Sequence, residues 1–207
     1  MLKGFKSYLS RKFSFIGKFD FWFISKLATI RRNYITVFFK LISRLADWWV
    51  LTLLSVFILI FVNLDFGVLL SVSLIVQTIL QKIIKYIVAR KRPYINYRQT
   101  IKRLIVPPDR YSFPSGHTAA IFVLFFVTIQ FFIVPAFIIL FFAIMVGLSR
   151  IYLGVHYLTD VLIGILLGFI SVEITKLFYK QISDFIKHLV LYLPHLRSFL
   201  IENHGFV

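Results

Sequence analysis

Five apolar runs set the plan of this chain, at about 48–63, 66–88, 118–133, 134–148 and 158–177. Each reads as a helix able to cross a bilayer, although several fall short of the ~20 residues that a span usually needs. Flanking amphipathic turns must extend them, or the bundle must sit in a thinned bilayer. Asn63-Leu64-Asp65 and the stretch 132–135 allow only tight connections, so the helices they join are antiparallel neighbours. The segment 20–44 is patterned differently. At 100° per residue, Lys18, Lys26, Thr29, Arg32, Asn33, Thr36, Lys40 and Arg44 gather on one face, and Ile24, Leu27, Tyr34, Phe38, Leu41 and Leu45 on the other. That separation predicts an interfacial helix, because a sixth span would put Arg31 and Arg32 at mid-bilayer at roughly 2.5–3.5 kcal/mol each. After Lys180, the alternation of Ile182, Phe185, Ile186 and Leu189 with Lys187 and His188 predicts a second surface helix ending near Pro194. The expected fold is all-α: a multi-pass transmembrane helix bundle of about five spans, six if 20–44 crosses. A basic amphipathic segment (1–45) precedes the membrane domain (46–180), and an amphipathic tail (181–207) follows it.

Composition agrees with this plan. A hydrophobic fraction of 59% and a mean hydropathy of +0.87 exceed the roughly 45–50% apolar usage of soluble domains. The absence of cysteine excludes a disulfide framework, a thiol nucleophile and a thiolate metal site. A net charge of +16 raises nucleic acid as a partner, but no recognisable binding motif accompanies it. In a membrane protein the charge points instead to anionic lipid headgroups and to topology control. At the N-terminus Lys3, Lys6, Arg11 and Lys12 interrupt the apolar pieces, so no cleaved signal peptide is expected.

Three polar clusters sit inside or beside the apolar runs, where ionisable groups are costly and mark a functional site by default. They are Lys85-x6-Arg92-Pro93, Pro114-Ser115-Gly116-His117 and Ser149-Arg150-x5-His156-x3-Asp160. With five spans, all three fall on one side of the membrane. His156 and Asp160 are four apart at the start of a helix, where such side chains share a face. A carboxylate on one imidazole nitrogen fixes the tautomer and frees the other nitrogen to attack; the plainer alternative is a helix-start hydrogen bond. Ser115 can cap the following helix while nearby amides face an anion, and Gly116 lets a phosphate approach the backbone. His117 is placed to donate a proton to a leaving oxygen, or else is an incidental interfacial histidine. Lys85, Arg92 and Arg150 suit a phosphoryl group. Positive-inside topology accounts for Arg90, Lys91, Lys102 and Arg103, but poorly for Arg150, which follows an apolar run. Pro93 stops the second run's helix.

In order and in internal spacing, the three clusters match the signature of the type 2 phosphatidic acid phosphatase superfamily, which shares its site with vanadium haloperoxidases and bacterial acid phosphatases. The chain resembles the membrane lipid phosphatases of that family over Lys85 to Asp160, and the N-terminal third carries no motif. The resemblance implies that Lys85, Arg92 and Arg150 bind phosphate and that Ser115 and Gly116 bind it through hydroxyl and amide. His117 would protonate the leaving group, His156 would form a phosphohistidine, and Asp160 would orient His156. It implies no metal and no cofactor. The expected partners are membrane lipids and a phosphorylated lipid substrate, with no nucleic acid; phosphatidylglycerophosphate, phosphatidate, polyprenyl (pyro)phosphate and lipid A 1-phosphate are the candidates. The loop 94–113, with Tyr97, Arg98, Lys102, Arg103 and Arg110, is expected to read the headgroup. Positive-inside counting puts the site on the cytoplasmic side, whereas the resemblance favours the outer face of a bacterial cytoplasmic membrane. Other readings are a non-catalytic anionic-lipid binder or transporter, and a metal site built from His117, His156 and Asp160.

Overall fold

The computed structural model describes residues 17–191. Eight helices carry them: α1 (17–29), α2 (Asn33–Arg44), α3 (Trp48–Phe61), α4 (Leu64–Val88), α5 (Pro93–Asn96), α6 (Gly116–Phe131), α7 (Ile133–Tyr152) and α8 (Leu158–Leu191). Among the described residues there is no strand, only an isolated bridge between Lys91 and Tyr111.

All five expected runs are helical, but they are unequal. α4, α7 and the Leu158–Ile186 part of α8 are long and apolar enough to cross a bilayer, and α2 with α3 passes as one span bent by 46°. α6, at 16 residues, is about 24 Å long at 1.5 Å per residue, short of a ~30 Å hydrocarbon core. The protein is an integral membrane bundle, and its described residues offer three to four candidate spans by length and composition, with α6 enclosed among them.

Local sequence sets the ends of α4. The Asn63 side chain accepts from the Phe66 amide at 2.8 Å, capping the start. At the other end Ala89 adopts φ 49°, and its amide bonds back to the Lys85 carbonyl. A left-handed alanine is strained by roughly 1–2 kcal/mol, and it turns the chain sharply just before Arg90 and Arg92.

The single interfacial helix expected over 20–44 is instead two helices broken at 30–32. The break is made by distant partners: Arg31 donates to the carbonyls of Lys102 and Tyr152 at 2.9 and 2.8 Å, and the Arg32 amide donates to the Tyr152 hydroxyl at 3.2 Å. α1 docks through Ile24, buried with Ile101, Ile151 and Val161. On α2 the face read as apolar, Tyr34, Phe38, Leu41 and Leu45, points outward, as contact with lipid requires. Thr36 and Ser43 from the other face turn inward to partners on α7.

α4, α6, α7 and α8 enclose a core of Phe66, Leu70, Phe122, Val123, Val127, Ala143, Val146 and Val172. α8 lies so close to α6 that a Cβ at Gly164 would stand 2.8 Å from the Ser115 carbonyl oxygen. α8 continues unbroken through 180, with no glycine or proline to stop it, so 181–191 extends this helix rather than forming a separate one. There Ser183 donates to Asp65 at 2.8 Å. Pro194, near which the second surface helix was expected to end, lies outside the described residues, as do Lys3, Lys6, Arg11 and Lys12.

Candidate active site

The strained turn after α4, the start of α6 and the α7–α8 corner meet at one end of the bundle around a cavity of about 900 Å³. Lys85, Arg92, Gly116, His117, Arg150 and His156 line it. Ser115 and Asp160, both fully buried, stand behind its wall. The three sequence clusters therefore converge, with six of the eight predicted residues on the cavity surface.

His156 lies in the loop between α7 and α8, its Nε2 3.4 Å from an Arg92 guanidinium nitrogen. Nδ1 is 3.6 Å from Asp160 Oδ2 and makes no hydrogen bond, so the dyad is aligned but open. Burial, followed by the charges of Arg92, Arg150, Lys85 and His117, pushes the imidazole well below its usual pKa. That shift favours the neutral ring, the form that can attack an electrophile. Asp160 accepts from Arg90 through Oδ1 at 2.6 Å and from the Tyr157 amide through Oδ2 at 2.9 Å.

His117, on the first turn of α6, has Nε2 3.0 Å from Asp47 Oδ1. Arg150, buried at the end of α7, donates to the Ser43 hydroxyl, and its Nε is unpartnered. Arg92 donates to the carbonyls of Asp109 and Val155 at 3.0 and 2.8 Å. Both Arg92 and Lys85 reach the Asp109 carboxylate, at 2.9 and 2.5 Å. Burial raises the Asp109 pKa, but its bonds and charge pairing with Lys85 and Arg92 outweigh this and hold it below the usual carboxylate range.

Two expectations change in detail. Ser115 does not cap α6 through its side chain; its hydroxyl pairs with Thr118 Oγ1 at 2.8 Å and its amide donates to the Asp160 carbonyl at 3.0 Å. The backbone bond ties the second cluster to the third. In the loop 94–113 only Pro108, Asp109, Arg110 and Tyr111 line the cavity. Tyr97 stacks on Phe21, Arg103 lies over Tyr94, and the Lys102 carbonyl serves Arg31, so these residues brace the corner instead.

Sequence reasoning missed Asp20, Ser43, Asp47 and Asp109 and gave Arg90 to topology. Arg90 joins Asp160 to Asp20, donating to each at 2.6 Å, and lies over the Tyr157 ring. A usable signal was present: the chain has only eight acidic residues, and a carboxylate in so apolar and basic a chain needs a partner. Among the described residues no three His, Asp or Glu side chains are grouped to hold a metal ion, because His117 turns to Asp47 while His156 turns to Asp160.

This fold and this convergence of motifs define a class. The PAP2 superfamily profile matches residues 66–184, more than half of the 207, and the chain belongs to that superfamily, the type 2 phosphatidic acid phosphatases. Among curated proteins it is 34% identical over 117 residues to an undecaprenyl-diphosphatase of Sulfolobus acidocaldarius, covering 52% of this chain and 54% of the relative. It is 35% identical over 100 residues to the bacitracin transport permease protein BcrC of Bacillus licheniformis, covering 48% and 49%. The chain thus spans about half the length of these curated relatives. Two crystal structures align over nearly their whole length. One is Aquifex aeolicus LpxE, with TM-score 0.68, 28% identity, and 75% of this chain and 93% of that one covered. The other is a PAP2 type phosphatidylglycerolphosphate phosphatase of Bacillus subtilis, with TM-score 0.69, 27% identity, and 87% and 94% covered.

Proposed function

We propose that this protein hydrolyses a phosphomonoester or diphosphate of a membrane lipid through a phosphohistidine. The observation that carries this reading is a single cavity holding two imidazoles and three cations, Lys85, Arg92 and Arg150, that continues past Gln81, Gln77 and Thr78 to Leu51 and Leu74. A phosphoryl group fits the cationic end and a lipid chain fits the apolar end. His156 Nε2 attacks phosphorus, and the bond from phosphorus to the lipid oxygen breaks as His117 gives that oxygen a proton. Asp160 holds the Nδ1 proton and offsets the positive charge gained by the ring. The guanidinium groups and Lys85 stabilise the charge on the transferring oxygens. Water, deprotonated by His117, then attacks the phosphohistidine, releasing phosphate and restoring His156.

The substrate is a phosphorylated lipid: phosphatidylglycerophosphate, phosphatidate, a polyprenyl (pyro)phosphate or lipid A 1-phosphate. The names of the relatives span lipid diphosphates and phospholipid monoesters, so the distinction lies in the leaving-group end of the cavity, where the exposed Lys82 stands one turn from Lys85. A non-catalytic lipid binder would use the three cations but give the buried His156–Asp160 pair no task.

Phosphate release from a panel of these lipids is the test. Turnover should vanish in His156→Ala and persist as a trace in Asp160→Asn, which loses orientation but not the nucleophile. Wild-type turnover by His156→Ala would end the proposal.

A further inference from the structure

We infer that Asp20, on the N-terminal helix α1, is a positioning residue for phosphoryl transfer: it shares Arg90 with Asp160 and so keeps net negative charge behind His156. The inference rests on the functional reading above. It concerns a residue outside the stretch 66–184 that the family profile covers.

Asp20 and Asp160 are both fully buried, and the Arg90 side chain between them is 12% exposed. One guanidinium nitrogen donates to Asp160 Oδ1 and to the Thr159 hydroxyl; the other donates to Asp20 Oδ2. Asp20 is fixed in turn by the Thr159 amide at 3.0 Å and hydroxyl at 2.6 Å. The guanidinium is held between two carboxylates and cannot swing wholly onto Asp160.

When His156 Nε2 bonds to phosphorus, the ring gains positive charge. The groups around it are Lys85 from α4, Arg92 from the following turn, His117 from α6, Arg150 from α7 and Asp160 from α8. Asp109 pairs with Lys85 and Arg92, and Asp47 with His117; Asp160 is the carboxylate aligned with Nδ1, and Arg90 alone would neutralise it. With Asp20 present, the group of Asp20, Arg90 and Asp160 carries one net negative charge. Asp160 Oδ2, which accepts from the Tyr157 amide, then also accepts a hydrogen bond from Nδ1–H as the 3.6 Å gap closes, stabilising the ring's positive charge without itself becoming protonated.

The experiment is single-turnover phosphorylation of His156 by nitrophenyl phosphate, using the full chain in lipid vesicles. The new bond is Nε2–P and the bond broken is phosphorus to nitrophenolate oxygen, which needs no proton. Asp20→Asn keeps shape and the contact with Thr159 but removes the charge. The rate constant should fall about ten- to a hundredfold, the size of loss seen when an outer-shell partner that orients a metal-ligating histidine is removed, while burst amplitude and vanadate affinity stay at wild-type levels. A purely structural role would do the reverse, lowering amplitude and leaving the rate constant of the surviving sites unchanged; that result overturns the inference. Should Asp20→Asn fail to accumulate, Arg90→Lys serves, since an ammonium cannot bridge both carboxylates. A similar fall in its rate constant supports the inference, and a wild-type rate constant overturns it. If the wild type itself forms no phosphohistidine, the functional reading falls and takes this inference with it; a wild-type burst with an unaffected Asp20→Asn rate removes the inference alone.

Discussion

Asp109 holds two of the three cations that a phosphate would need, Lys85 through one carboxylate oxygen and Arg92 through the other. An incoming phosphoryl group has to displace it, and because its pKa is depressed it remains a charged competitor at neutral pH. Asp109→Asn should therefore tighten competitive inhibition by vanadate severalfold; a weaker inhibition constant would mean that Asp109 instead preorganises the cations. His117 faces a different demand. A lipid alkoxide needs a proton to leave and a nitrophenolate does not, so His117→Ala should slow phosphorylation of His156 from a lipid monoester far more than from nitrophenyl phosphate. Equal losses would withdraw its assignment as the acid. At this scale the sequence displayed the residues that line and back the cavity, because His156, Asp160, His117 and the cations are local motifs. It hid Asp20 and Asp47, because each meets its partner 70 positions away.

The helices decide how accurately those residues meet. Continuous apolar runs, with outer faces left exposed for lipid, announced α3, α4, α6, α7 and α8. The break between α1 and α2 was not legible, because Arg31 and Arg32 read as charges that keep the segment out of mid-bilayer until Tyr152 and Lys102 are brought beside them by the fold. The packing of α8 on α6 was equally hidden, although Gly164 depends on it. A methyl group there would meet the backbone oxygen of Ser115, which cannot rotate away. Gly164→Ala should push α8 from α6, lengthen the bond from the Ser115 amide to the Asp160 carbonyl, and cost about 1–3 kcal/mol of stability, the usual range for overpacking. The thermal inactivation temperature and the rate of phosphate release in detergent would both fall, whereas Gly17→Ala, with nothing within 4 Å of the added carbon, should match wild type. Equal behaviour of the two would show that α8 and α6 have slack.

Orientation belongs to the whole molecule, and here the sequence argument and the structure weigh the same charges differently. Positive-inside counting treats each lysine and arginine at the site-bearing end as a topology signal. Lys85, Arg90, Arg92, Arg150 and Arg31 are instead committed to Asp109, Asp20, Asp160, Ser43 and backbone carbonyls, so five cations leave that count. α1 and α2 carry the remaining basic residues and also expose Phe19, Trp22, Tyr34 and Phe38, the mix of a segment that meets the headgroup level. With the count so reduced, we propose that the site faces outward. The chain has no cysteine, so one introduced at Gln99, exposed in the turn after α5, is a unique reporter. An impermeant thiol reagent should label Gln99→Cys in intact cells as fully as after permeabilisation. Protection until the membrane is opened would place the site inside and return those five cations to the topology count.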